Sequence, residues 1–230
     1  MKNIPSPNFN FRPEESIVDS IIIHYTVINQ IETINKFCDP RSKVSSHYFI
    51  NKSGEIIIFV KTDKRAWHAG VSSWKKQSNL NNNSIGVELE NNGKEKFTIA
   101  QYEALLTIIT QLKKEFSNIK DELILGHSDI APLRKSDPGI FFAWEKILPK
   151  AAYHHIKLPV NNYPLIKLGE ASEKVTQCQK LLDKIGYEVD INGLFDANLA
   201  QIIHAFKSHF CRKKIDDIWD NYAEITAKTL

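Results

Sequence analysis

The stretch Leu123-Ile124-Leu125-Gly126-His127-Ser128-Asp129-Ile130-Ala131-Pro132-Leu133-Arg134-Lys135-Ser136-Asp137-Pro138-Gly139 decides how the rest of the chain is read. A short apolar run that reads as a strand ends at Gly126, and a histidine, a lysine and an aspartate follow on one irregular, Pro/Gly-bounded segment. Far upstream a second apolar run, Ile21-Ile22-Ile23, also delivers a histidine, His24, at its end. Two imidazoles at strand ends plus the Asp137 carboxylate suit a Zn2+ ion held by three protein ligands with a fourth position open, the arrangement of a catalytic zinc site. Bound zinc makes a nucleophile of water at neutral pH, so the pattern points to a metal hydrolase.

Around this stretch, strands and helices alternate. Ser20 to Tyr25 reads as a buried strand and Ile28 to Phe37 has helical spacing. Ser46 to Ile50 and Glu55 to Val60 flank Asn51-Lys52-Ser53-Gly54, a hairpin signal. Ser84 to Glu90 alternates with period two, with Ile85, Val87 and Leu89 on one face and Glu88 and Glu90 on the other. Thr98 is positioned to cap a helix from Ile99 to Phe116, whose stripe is Tyr102, Leu105, Ile109, Leu112 and Phe116. The pattern predicts an α/β fold, a central mixed β-sheet flanked by helices, with reactive loops at the strand ends.

Residues 154–165 hold two prolines and two asparagines without periodicity and read as a linker. They divide residues 1–153, expected to carry the chemistry, from residues 166–230, expected to form a small three-helix unit. Its helices are expected over Lys174 to Ile185, Asn198 to Phe210 and about Trp219 to Thr226. A unit of this size buries little core, which favours an accessory binding module.

The site also needs a base and a cation. Glu88 is the candidate base, and Lys135, two residues from Asp137, is the candidate for stabilising an oxyanion, a contribution of about 3 kcal/mol. Plainer readings stand beside these. Glu88 and Glu90 also suit a solvated strand face, periodicity does not choose between them, and Lys135 with Asp137 also suits a surface ion pair of little worth.

At 230 residues, 42% hydrophobic and 25% charged, the composition is that of an ordinary globular protein. A net charge of +3 is too small to argue for nucleic acid or an anionic membrane as partner. Cys38, Cys178 and Cys211 are scattered and odd in number, which suits reduced thiols. No window has the apolar length of a transmembrane segment, and the first residues lack a signal-peptide core. The expectation is a cytoplasmic protein, with the periplasm as the alternative through an unrecognised export route. Oligomeric state has no signal in the sequence.

Several blocks occur in one order: Tyr25-Thr26 after His24, Ser45-Ser46-His47-Tyr48-Phe49-Ile50, Lys64-Arg65-Ala66-Trp67-His68-Ala69-Gly70-Val71-Ser72, Ser84-Ile85-Gly86-Val87-Glu88-Leu89-Glu90, and the opening stretch itself. Together they resemble the zinc-dependent N-acetylmuramoyl-L-alanine amidases of the amidase-2 family, in its AmpD-like and AmiD-like branch, over roughly residues 4–150. The resemblance implies His24, His127 and Asp137 as zinc ligands, Glu88 rather than Glu90 as the base, and Lys135 as support for the transition state. Related peptidoglycan-recognition and phage amidases carry a cysteine as third ligand and a tyrosine before the histidine matching His47. Asp137 and Ser46 stand there in this chain, which fits the AmpD-like branch.

The implied reaction is hydrolysis of the amide between N-acetylmuramic acid, including its 1,6-anhydro form, and L-alanine of a peptidoglycan stem peptide. Muropeptide or peptidoglycan is the implied partner. His47, Trp67, His68, Asn83 and Arg134 are candidate substrate contacts. His47 also suits a sheet position behind the site, and Trp67 also suits the core. Leu168-Gly169, Gln179-Lys180-Leu181-Leu182, Gly186-Tyr187, Asn192-Gly193-Leu194-Phe195-Asp196 and Ala205-Phe206 resemble a peptidoglycan-binding three-helix module. The alternative to an enzyme is a zinc-bearing peptidoglycan binder or sensor.

Overall fold

A computed structural model describes residues 1–230. Its strands are β1 (Lys2–Asn3), β2 (Phe9–Phe11), β3 (Ser20–Tyr25), β4 (Tyr48–Ile50), β5 (Ile56–Ile58), β6 (Lys64–Ala66), β7 (Ser73–Trp74), β8 (Gln77–Ser78), β9 (Ser84–Leu89) and β10 (Ile124–Gly126). Its α-helices are α1 (Gln30–Cys38), α2 (Ile99–Glu115), α3 (His127–Ile130), α4 (Glu173–Ile185), α5 (Ala197–Phe210) and α6 (Asn221–Thr229).

Six strands form the central sheet in the order β1-β5-β4-β9-β3-β10. β4, β9, β3 and β10 run parallel, and the β4–β5 hairpin supplies the antiparallel pair. The sheet is therefore mixed, with helices over it, as the alternation of apolar runs and helical stripes predicts.

Period-two alternation divides the sheet's side chains between two layers. Ile21, Ile23, Ile85, Val87, Leu89 and Ile124 pack with Tyr102, Leu105, Ile108, Ile109 and Leu112 of α2. Thr98 caps that helix, its hydroxyl accepting from the Gln101 amide while Gln101 reaches back to the Thr98 amide.

On the opposite face, Ile22 and Leu125 join Trp74, Leu80 and Ile130 in one apolar cluster with Val175, Leu182, Tyr187, Ile203 and Phe206 of the C-terminal helical region. The third helix begins at Asn221, two residues later than its spacing suggests, because Asp220 rather than a residue before Trp219 accepts from the Ala223 amide as N-cap. Residues 156–163 contain no helix or strand.

The strand face that carries Glu88 is not solvated: β9 is buried along its whole length. His24 has the parity of Ile22, so it also points away from α2, toward the face of the C-terminal helices. No helix of the chain is long and apolar enough to cross a membrane.

Leu105→Ala, at a fully buried position, is expected to cost about 2–5 kcal/mol of folding stability. Thr98→Ala should cost about 1 kcal/mol through the lost cap. Both are read from denaturant unfolding at constant slope.

Candidate metal centre and cleft

Register builds the site. The parallel ladder pairs His24 with Glu88 and Ile23 with Gly126, so the residue after Gly126, His127, emerges beside His24. Asp137 returns to the same point because the Ser128 amide donates to its backbone carbonyl at 2.8 Å. His24 Nδ1 and His127 Nδ1 lie 2.9 Å apart, and Asp137 Oδ2 lies 2.9 Å from the first and 3.1 Å from the second. All three side chains are buried.

This triangle suits a cation. Three ligand atoms at tetrahedral positions about zinc lie about 3.3 Å from one another, close to the observed spacing. The hydrogen bonds behind the triangle also aim lone pairs into it. His127 Nε2 lies 3.0 Å from the Ala69 carbonyl, which can only accept, so Nε2 carries the proton and Nδ1 is bare.

For His24 the same result comes through a chain. The Ser84 hydroxyl donates to the Leu80 carbonyl at 2.5 Å and accepts from His68 Nε2 at 3.4 Å. His68 Nδ1 then accepts from His24 Nε2 at 3.1 Å, leaving His24 Nδ1 unprotonated and facing Asp137. Such backing of a ligand histidine fixes its tautomer and ring plane.

The electrostatics agree. Burial, together with the neighbouring His127, lowers the His24 pKa to about 4, which keeps the imidazole neutral. Burial alone would raise Asp137, but the His127 and His24 imidazoles more than offset it and hold the carboxyl well below its ordinary range. A neutral imidazole and an ionised carboxylate are the forms that bind a metal.

Glu88 faces the same cavity, of about 450 Å³, whose wall includes His24, His68, His127, Arg134, Lys135 and Asp137. Its side-chain Oε2 is buried without a hydrogen-bond partner. Burial, and next the Asp137 charge, raise its pKa to about 8. Glu90 differs: its two oxygens accept from the Gln30 and Lys52 amides, so it joins loops outside the cavity. Geometry therefore separates two glutamates that periodicity leaves equal.

The candidate substrate contacts divide. Arg134 lines the cleft and donates to the Ala69 and Val71 carbonyls. His68 also lines it, although its ring bonds are spent on His24 and Ser84. Three candidates are not among the residues lining this cavity, and each has a hydrogen-bond partner elsewhere.

His47 is fully buried behind β9, where Nδ1 accepts from the Gly86 amide and Nε2 meets Arg12 and the Lys64 carbonyl. Trp67 donates its indole N–H to Asn10. Asn83 precedes β9 at the end of the sheet opposite Glu88 and donates to the Ile17 carbonyl. The Ser84 link to His68 has no motif signal in the sequence, since its partners lie 4 and 16 positions away on different elements.

Gly86 makes room for the His68 ring: a Cβ there would sit 2.4 Å from His68 Cγ. Gly86→Ala is expected to cost about 1–3 kcal/mol by overpacking, measured by denaturation. A second expectation concerns the metal-stripped protein. Between the ordinary carboxyl value of 4.5 and about 8, folded Glu88 keeps a proton that the unfolded chain has released. This contribution to stability is complete below 4.5 and is lost as pH rises through 8. Glu88→Gln should flatten that part of the stability–pH curve.

A family profile described as N-acetylmuramoyl-L-alanine amidase matches residues 14–140. The 1,6-anhydro-N-acetylmuramyl-L-alanine amidase AmpD of Haemophilus influenzae is 33% identical over 165 residues, covering 64% of this chain and 90% of that protein. The N-acetylmuramoyl-L-alanine amidase AmiD of Escherichia coli is 31% identical over 208 residues, covering 83% of this chain and 74% of that protein. A solved structure of E. coli AmiD with the substrate anhydro-N-acetylmuramic acid-L-Ala-D-gamma-Glu-L-Lys superposes with a TM-score of 0.79 at 26% identity, covering 95% of this chain and 91% of that one. With more than half of its length matched and its strand-end triangle formed, the chain belongs to the N-acetylmuramoyl-L-alanine amidase family.

Proposed function

We propose that this chain hydrolyses the amide between the lactyl carbonyl of N-acetylmuramic acid and the amino group of L-alanine, with 1,6-anhydro-muropeptides as the substrate class. The observation that carries the reading is the conjunction of the His24–His127–Asp137 triangle with an unpartnered, buried Glu88 oxygen in one cavity. The substrate class is supported by AmpD of H. influenzae, named for the 1,6-anhydro sugar, and by the anhydro-muropeptide bound to AmiD.

His24, His127 and Asp137 would hold Zn2+. When bound, zinc supplies Lewis-acid polarisation of a carbonyl and acidification of water.

The remaining steps belong to the chain's own groups. Glu88 accepts a proton from the attacking water at its free oxygen and later returns it. The water oxygen bonds to the carbonyl carbon, the C–N bond breaks, and the proton held by Glu88 goes to the leaving nitrogen. The products are the free lactyl acid and a peptide beginning with L-alanine. Lys135, exposed on the cavity wall, places its ammonium to stabilise the negative charge on the carbonyl oxygen. Arg134, anchored to the opposite loop through Ala69 and Val71, shapes the cleft wall against which the substrate lies.

Mass spectrometry of products from zinc-loaded protein, offered soluble anhydro-muropeptides and intact sacculi side by side, tests this reading. Stem peptide released from the soluble fragments is expected. Retention of the muropeptide uncleaved would leave a binder in place of an enzyme. Glu88→Gln is expected to keep its metal and lose roughly 10²–10⁴-fold in kcat. For Lys135→Ala the expected loss is roughly 10²–10³-fold. Chelation should abolish turnover in the wild type, and added Zn2+ should restore it.

A further inference from the structure

Asp129 lies two residues beyond His127, within the single helical turn α3, and is fully buried. Its Oδ2 accepts from the Gly126 amide at 2.6 Å, closing the turn that starts at His127. Its other partners come from the C-terminal helical region. The Tyr187 hydroxyl donates to Oδ1 at 2.6 Å, and His209 Nδ1 meets Oδ2 at 2.7 Å.

His209 is fixed in turn. Its ring stacks on Trp144 with centroids 3.6 Å apart and planes 12° apart, and its Nε2 meets the Tyr153 hydroxyl at 3.3 Å. The turn that carries Asp129 also holds the second loop ligand, through the Ser128 amide on the Asp137 carbonyl. A buried carboxylate with three donors therefore joins the C-terminal region to the backbone that presents two of the three triangle residues. Gly126 permits the close approach: a Cβ there would sit 2.6 Å from Pro138 Cδ, on the same loop.

We infer that Tyr187 and His209 are positioning residues for the metal centre, acting through Asp129 to hold His127 and Asp137 in ligand geometry. The inference rests on the amidase reading above for the purpose of the centre. The C-terminal helical region is thereby part of the active-site scaffold. Packing alone would need only apolar side chains at this junction. A carboxylate placed there requires its donors, because losing one leaves a buried acceptor unpaired. The acceptor's response is to shift, and it carries the His127 turn with it.

The test uses full-length protein in four forms: wild type, Tyr187→Phe, His209→Phe and a packing control, Val175→Ala, in the buried core of α4 with no bond to Asp129. Phenylalanine keeps the ring of Tyr187 and keeps an aromatic ring, slightly larger than imidazole, at His209, and it removes the hydrogen bonds at both positions. Zn2+ affinity is measured by competition with a chromophoric chelator well below the unfolding temperature, with the visible spectrum of Co2+ as a reporter of ligand geometry. Hydrogen exchange of residues 126–137 is followed in metal-free protein.

Tyr187→Phe and His209→Phe are each expected to weaken Zn2+ binding roughly ten- to a hundredfold and to alter the Co2+ spectrum. Exchange of 126–137 should speed up roughly tenfold, as for loss of one buried hydrogen bond. Val175→Ala should lower the unfolding midpoint and leave all three readouts as in wild type. Wild-type affinity, spectrum and exchange in both phenylalanine variants would overturn the inference, as would an equal effect of Val175→Ala. If the wild type binds Zn2+ but releases no stem peptide, the amidase reading fails while the affinities still decide this one. If it takes up no Zn2+, hydrogen exchange alone decides.

Discussion

Parallel pairing of β3 with β9 on one side and β10 on the other is the constraint on which the site depends. Each ladder has a single register, and within it His24 stands opposite Glu88 while Ile23 stands opposite Gly126. A slip of one residue would exchange the two faces of a strand. For β3 it would drive Ile21 and Ile23 away from α2 and bring His24 against that helix. The apolar contacts of Ile21, Ile23, Ile85 and Val87 with α2 therefore fix the chemistry as well as the fold. Site geometry and core packing share one register, so neither can drift without the other.

Behind the ligands, neutral hydrogen-bonding groups decide which nitrogen is bare. A carbonyl that can only accept fixes His127, and a serine that spends its own proton on another carbonyl fixes His24 through His68. Neither device needs a charged partner, which keeps the buried charge at the centre limited to Asp137 and whatever cation the triangle holds. In the metal-free centre Glu88 adds no second negative charge while it holds its proton, since burial favours its neutral form.

The parts of this arrangement legible in the sequence are those encoded by local pattern. Alternation in Ser84–Leu89, the stripe and cap of α2 and the strand-end placement of His24 and His127 all depend on residues a few positions apart. Contacts between distant elements were legible in one case from ligand chemistry, the pairing of His24 with His127 and Asp137, and otherwise where a family resemblance supplied them, as for the choice of Glu88. Where neither source applied, side-chain direction was lost. His47, Trp67 and Asn83 are polar or aromatic residues in suggestive blocks, and their side chains bond to Arg12, Asn10 and the Ile17 carbonyl, away from the cavity lining. The Asp129 network spans 58 and 80 positions to reach Tyr187 and His209 and has no local signature at all.

The apolar cluster beneath β3 and β10 has a consequence for how the chain comes to exist as a folded object. Ile22, Trp74, Leu80 and Leu125 are completed by side chains that follow residue 174, so their burial closes only after synthesis has passed α5. The sheet's second face remains open on the ribosome until the end of the chain arrives, and contacts of such long sequence separation form slowly. Melting should then be one cooperative event spanning both regions rather than two successive ones. A chain cut in the 156–163 segment would leave a greasy half-sheet prone to self-association.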